Sequence, residues 1–245
     1  MDSGYYAAMT GLVARTQALD TAAANLANAQ TPGYRAEREY FRSVLSGPDG
    51  ADSQLGQAVN RYGLLGGDRL NMAQGPLQKT GNPLDLAIEG NGFFAVRTSN
   101  GTRYTRDGSF HRSQTGELVT TANEPVLSSA GQPIPIPPGE VAVGASGLIS
   151  VSGGAVATVG VFSFSDNSQL SPEGANRYAA PDGVKATQSS EAAIHQGALE
   201  GANQDVVQGT LDLIMMQRQA EMMQKALTVF HTEFNKTATE DLPKV

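Results

Sequence analysis

Three histidines and one pair of carboxylates are the residues whose types and spacing could carry chemistry in this sequence. His111, His195 and His231 are far apart, and none has a second histidine at metal-ligand spacing. On a helix His231 and Glu233 would point roughly 200° apart at ~100° per residue, too far to share one ion. Asp85 and Glu89 stand four apart, a spacing that would join two carboxylates on a helix for acid–base work. The nearby Asn82-Pro83 and the flanking glycines favour a strand or loop there instead. Gly90-Asn91-Gly92 resembles the start of a dinucleotide loop but lacks the third glycine, and no helix follows it. There is no Gly-x-Ser-x-Gly elbow and no phosphate loop. With no cysteine in the chain, disulfides, thiolate metal sites, iron–sulfur clusters and cysteine nucleophiles are excluded. The sequence therefore nominates no catalytic residue, no cofactor-binding residue and no metal ligand. The expectation is a protein that is not an enzyme and takes no small-molecule substrate.

Composition narrows the class further. The chain has 245 residues, enough for one or two domains. Charged residues are 17%, below the ~25% of an average soluble protein. A net charge of −7, with no local run of Lys or Arg, argues against nucleic-acid binding. No window approaches the ~18 uninterrupted apolar residues of a membrane span. The first residues lack a basic stretch followed by an apolar core, so an ordinary cleavable signal is not expected.

Glycine and proline show which elements must exist. Residues 1–31 contain no proline and only Gly4 and Gly11, and residues 182–242 contain no proline either. Because proline breaks helix interiors and glycine weakens them, this predicts a helix at each end and a turn-rich, strand-rich middle. In the N-terminal segment Tyr5, Met9, Leu12, Thr16, Leu19, Ala23 and Leu26 fall on one seam of 3.5-residue period. Asp2 or Ser3 can cap its start, and Thr31-Pro32-Gly33 ends it. In the C-terminal segment Val206, Leu213, Met216, Ala220, Met223, Leu227, Phe230 and Phe234 share a heptad seam, with Gly209 as the weak position. Asn203 can cap that helix, and Asp205 in its first turn suits the helix dipole. Glu221 and Lys225 form an i,i+4 pair. Leu211, Ile214, Met215 and Met222 widen the apolar face beyond what one partner needs. Either the helix packs on several neighbours or it lies in a globular core.

The middle reads as β. Phe93–Thr98 and Thr102–Arg106 flank Asn100-Gly101, a strong hairpin signal that asks for positive φ at both turn positions. Asp107-Gly108 offers a second turn. Further strand candidates are Glu117–Thr121, Val141–Val143, Leu148–Val151 and Ala157–Ser165. Ile134-Pro135-Ile136-Pro137-Pro138 must be extended and cannot sit in a central ladder. Residues 46–75, rich in Gly, Asn, Gln and Ser, read as a linker or long loop.

Three stretches together resemble the flagellar rod and hook protein family, the axial proteins of the bacterial flagellum. "ALDTAAANLANAQTPGYRAE" (Ala18 to Glu37) is similar to that family's helix running into a "TPGY" turn, carried by Asn25, Leu26, Asn28, Thr31, Pro32, Gly33 and Tyr34. "TGNPLDLAIEGNGFFAV" (Thr80 to Val96) and "YTRDGSF" (Tyr104 to Phe110) are similar to the start of its β domain, carried by Asn82, Pro83, Leu84, Asp85, Gly90, Gly92, Phe93, Phe94, Asp107 and Gly108. "GALEGANQDVVQGTLDLIMMQRQAEMMQKAL" (Gly197 to Leu227) resembles its closing element and last helix, with Asn203 in the cap position. Gln30 before the turn, and "GANQDV" where "GSNV" is commoner, depart from the family wording. Residues 153–195 match little.

The resemblance implies an α+β protein whose N- and C-terminal helices pair as an antiparallel or coiled-coil-like bundle, with a central all-β domain. The expected division is 1–35 and 196–245 as a terminal helical domain, 36–75 as an extended linker and 76–195 as the β domain. The resemblance also implies a structural subunit that assembles helically, with itself and with other flagellar axial proteins. The assembly contacts would be Tyr5, Met9, Leu12, Leu19, Leu26, Leu213, Met216, Met223, Leu227, Phe230 and Phe234. Export would go through the flagellar type III apparatus to a periplasmic basal body, without a cleavable signal peptide. Two other readings stay open on the residues alone: a secreted β-domain binding module with helical multimerisation ends, and an enzyme using Asp85 and Glu89.

Overall fold

The computed structural model of the chain describes residues 2–42, 64–165, 170–181, 183–189 and 191–236. The alanine-rich, proline-free start forms helix α1, Asp2–Ala27. The chain leaves helical geometry just before Thr31-Pro32, where Thr31 donates its amide to the Asn28 carbonyl at 3.0 Å and Tyr34 donates to Thr31 at 3.2 Å. The proline-free end of the sequence forms α2, Val206–Lys236. Its cap is Asp205 rather than the expected Asn203. The Asp205 carboxylate accepts the Gln208 amide at 2.8 Å, and its carbonyl accepts the Gly209 amide at 2.8 Å. Asn203 is committed to other backbone groups, described below.

The chain divides into two units. The first comprises Met1–Ala27, Glu37–Arg69 and Asp205–Val245, and in it α1 lies against α2. The line of α1 that is buried is Gly11, Ala14, Ala18 and Asn25. It lies roughly 140° around the helix from the seam read in the sequence, at ~100° per residue. Met9, on that seam, is 41% exposed, while Leu12, Leu19 and Leu26 are half-buried. Small residues let a neighbouring helix approach closely, so α1 turns its small face inward and leaves its larger one partly open. On α2 the most protected line is Gly209, Leu213, Met216, Ala220, Met223 and Leu227. The second apolar set, including Leu211, Ile214, Met215 and Met222, is exposed on the opposite face. The side chains of Asp2, Ser3, Tyr5, Phe230, His231, Glu233 and Phe234 lie outside the described residues. Asn25 pairs with the backbone of Glu37 in both directions, donating at 2.8 Å and accepting at 2.9 Å. Within the stretch expected as a linker, β1 (Glu37–Arg42) and β2 (Leu64–Leu70) form a two-stranded ribbon.

The second unit comprises Asn28–Ala36 and Leu70–Gln204. Residues 28–35 and 196–204, expected with the helices, therefore cluster with the β unit. Its strands are β3 (Leu77–Lys79), β4 (Leu86–Glu89), β5 (Phe93–Thr98), β6 (Gly101–Thr105), β7 (His111–Arg112), β8 (Leu118–Val119), β9 (Val141–Val143), β10 (Leu148–Val151), β11 (Gly154–Thr158), β12 (Val161–Ser163), β13 (Ser171–Pro172), β14 (Arg177–Ala179), β15 (Thr187–Gln188), β16 (Ala193–Gln196) and β17 (Ala198–Glu200). The largest sheet has the order β13-β14-β6-β5-β12-β15. A β9-β10-β11 meander and the pairs β4–β16, β3–β17 and β7–β8 complete it, all antiparallel.

The β5–β6 hairpin forms where it was expected, but its turn differs. Thr98 pairs with Gly101, and Gly101 takes positive φ (100°) whereas Asn100 does not. One left-handed glycine closes the turn in place of the two-position mirror type. The proline-rich stretch is extended and forms isolated bridges instead of a strand. Ile134 donates to Val126 at 3.2 Å and accepts from Leu118 at 2.9 Å, and the prolines need no donor there. The main apolar core gathers Leu86, Ile88, Phe94, Ile134, Ile149 and Ile194 among others. A smaller one is built on Phe93, Phe164, Leu170 and Tyr178.

Candidate functional site

The motifs that are separated in sequence meet around one carboxylate. The turn Thr31–Tyr34 reverses the chain through Gly33, whose φ is +69°. A Cβ at Gly33 would sit 2.3 Å from the backbone of Arg106 and Asp107, so only glycine allows the turn to rest on that segment. The Gly33 amide donates to the Glu200 carbonyl at 2.7 Å. Two residues on, Arg35 reaches the Glu200 carboxylate at 2.9 Å, and Arg106 reaches its other oxygen at 2.9 Å. The first of these oxygens also accepts the Gly75 amide at 2.9 Å. Arg35, Arg106 and Glu200 are 2%, 3% and 1% exposed.

The remaining donors are partly absorbed by backbone carbonyls. Arg35 also donates to Ala73, and Arg106 donates to Ile88 at 3.3 Å and Gly90 at 2.6 Å. The Arg106 guanidinium lies 5.3 Å from the Phe93 ring centre. The Nε atoms of Arg35 and Arg106 are buried without a partner. Burial pushes the Arg106 guanidinium below the ordinary arginine range. Glu200 pulls it back up and the second cation, Arg35, pushes it further down. Two cations thus share one anion in a dry setting.

Asparagine amides complete the junction. Asn203 accepts the Ala36 amide at 2.7 Å and donates to the carbonyls of Asn71 and Ala73 at 2.6 and 2.9 Å. Its own amide donates to Tyr34 at 3.3 Å. Asn176 donates to the Pro32 carbonyl at 2.9 Å. The motif at 82–85 folds locally. Asn82 accepts the Leu84 amide at 3.3 Å and donates to the Asp85 carboxylate at 2.8 Å, an Asx turn. Asp85 bridges Ser109, and Gly108 lies so close that a Cβ there would be 1.7 Å from the Leu86 carbonyl oxygen. Asp107 accepts the Ser109 amide at 2.9 Å, and Phe94 stacks edge-on against Phe110 at 5.1 Å. Gln196 donates to the Pro83 carbonyl at 2.9 Å, and Gly92 carries φ +149°. Thr31 contacts Asn28 through its hydroxyl at 3.3 Å.

The structure brings together Gly33, Tyr34, Gly90, Phe93, Asp107 and Asn203 of the residues read from the sequence. It does not bring Asp85 and Glu89 together as a catalytic pair: Asp85 is held by Asn82, and Glu89 pairs with His195 at 2.6 Å on the surface. Sequence reading missed Arg35, Arg106 and Glu200 as functional residues. All three lie inside the quoted motif strings, and Glu200 stands as a lone charge among small and apolar neighbours, which was the available signal. Two guanidinium groups and a backbone amide converge on one carboxylate, the chemistry of a structural clamp.

Comparison with known proteins supplies the context. Residues 87–151 match the family described as "Flagellar hook protein FlgE/F/G D1 domain", and residues 6–35 match "Flagella basal body rod protein". Over its whole length the chain is 35% identical to the flagellar basal-body rod protein FlgF of Caulobacter vibrioides, across 100% of both proteins. It is 36% identical to FlgF of Rhizobium meliloti over 89% of each chain. It is 28% identical to the flagellar basal-body rod protein FlgG of Bacillus subtilis, over 91% of this chain and 93% of the relative.

Proposed function

The chain belongs to the flagellar basal-body rod protein family, and from that premise we propose that it is a structural subunit of the rod, joined to its neighbours through its terminal helices. Whole-length identity to the FlgF relatives supports the proximal-rod side of the family over the distal one. The observation that carries the mode of assembly is the exposed apolar face of α2. Leu211, Ile214, Met215 and Met222 are each 44–62% exposed along one side of a 31-residue helix. Together with the open seam of α1 through Met9, Leu12, Leu19 and Leu26, that face gives α1 and α2 the means to act as a coiled-coil-like pair that takes further helices. Tyr5, Phe230 and Phe234 extend the same seams in sequence. Leu213, Met216, Met223 and Leu227 hold the pair together from the α2 side. If the contact between copies is head-to-tail and its rotation does not close, it produces a filament.

The subunit's partners are other axial proteins and further copies of this chain. Delivery is through the flagellar type III export apparatus into the periplasm. A chain without cysteine suits unfolding for export and refolding in an oxidising space. The test is the double substitution Leu211→Asp with Met215→Asp. Both side chains are half exposed, so the isolated subunit is expected to lose less than about 1 kcal/mol of stability. Sedimentation of the variant mixed with rod partners should show loss of association with unchanged circular dichroism of the monomer. Full association of the variant would contradict the assignment of this face.

A further inference from the structure

We propose that Glu200 is a positioning residue: it is the centre of a charge latch that fixes residues 31–36 on the β unit and can close only when β17 has paired with β3. The inference concerns how the chain is held and does not depend on the rod reading. Residues 31–36 bury little of their apolar surface completely. Thr31, Pro32 and Tyr34 are half-buried, Gly33 has no side chain, and only Ala36 is a buried apolar residue. Hydrophobic burial, partial at Pro32 and Tyr34 and complete only at Ala36, is thus one of two contributions to holding this segment.

Polar contacts hold it as well, and those of Gly33, Tyr34, Arg35 and Ala36 include partners just before α2. Gly33 and Arg35 bind Glu200, and Tyr34 and Ala36 bind Asn203. Glu200 in turn reaches its position through β17, where it pairs with Leu77 of β3. That register also brings Gly75 under the carboxylate and Gly201 onto the Pro76 carbonyl at 2.8 Å. The turn that follows α1 is thus ordered by the residues that precede α2. The charges make the dependence steep. Without the Glu200 anion, two buried guanidinium groups face each other with no counter-charge. None of residues 31–36 belongs to the apolar core around Leu86, Phe94 and Ile149, so the latch can open without unfolding that core.

Hydrogen–deuterium exchange of the full chain, read by mass spectrometry, tests this. In Glu200→Gln the peptides carrying the amides of Gly33, Ala36 and Gly75 should exchange roughly a hundredfold faster, whereas β5 and β6 should change by no more than about threefold. Arg35→Met should show a smaller acceleration, because Arg106 and Glu200 then remain as a balanced pair. Glu173→Gln, which breaks the solvent-facing pair with Arg103, should leave both regions as they are. Unchanged exchange at Gly33 and Ala36 in Glu200→Gln would overturn the latch. So would equal acceleration across β5 and β6 or failure to fold, either of which would make Glu200 a residue of core stability.

Discussion

Gly33 and Asn203 show how closely single residues are committed at the junction. Gly33 combines a left-handed φ with a backbone contact that leaves no room for a methyl group. Gly33→Ala therefore meets a left-handed penalty of about 1–2 kcal/mol and a clash with Arg106 in addition. Urea unfolding of Gly33→Ala should show a loss of at least that size, and a loss below ~0.5 kcal/mol would contradict the close approach. The sequence made the turn legible, because Pro followed by Gly has few backbone solutions. It did not make the charges legible. Arg35, Arg106 and Glu200 come from three distant stretches, and nothing local says that they share one site. Asn203 was misplaced as a helix cap for a related reason. Asn is a good cap in general, but here its amide satisfies Ala36, Asn71 and Ala73, while the Asp205 carboxylate sits where the Gln208 amide points.

Among the elements, the two helices were readable because an alanine-rich or heptad stretch without proline has no competing structure. The faces they use were harder to read. The seam of α1 was drawn through its largest residues, yet Gly11, Ala14 and Ala18 are the ones buried, since apolar size alone does not say which side a neighbour approaches. Strands with strong turns, such as β5 and β6, were also legible. The hairpin β10–β11 had a signal in Ser152-Gly153, which takes positive φ at both positions (49° and 82°). Strands of two residues such as β13 and β15 are too short to show alternation, which is why neither was read from the sequence. The cap assignment predicts a clean separation of two variants. Asp205→Ala should cost about 1 kcal/mol and fray the start of α2. Asn203→Ala should leave the helix content seen by circular dichroism unchanged while weakening the contacts of Ala36. A helix loss on removing Asn203 equal to that on removing Asp205 would return the cap to Asn203.

For the whole molecule, the order of motifs carried more information than any one of them. A β unit bracketed in sequence by two long helices, with exposed apolar residues on both, is what the proposed assembly asks of a subunit. Seam variants separate the two helix faces. Leu227→Asp places a charge on the half-buried line of α2 and should destabilise the subunit itself by several kcal/mol. Leu211→Asp with Met215→Asp should spare the subunit and act only on association. Thermal unfolding of both variants, alongside sedimentation, distinguishes these outcomes, and equal melting temperatures would contradict the division of faces. The most direct measurement is electron microscopy of basal bodies isolated from cells in which this coding sequence has been deleted, with the intact sequence restored as a control. The account predicts an interrupted rod without a hook, non-motile cells, and full recovery on restoration. A complete rod and normal swimming in the deleted strain would contradict the claim that this chain is a structural part of the rod.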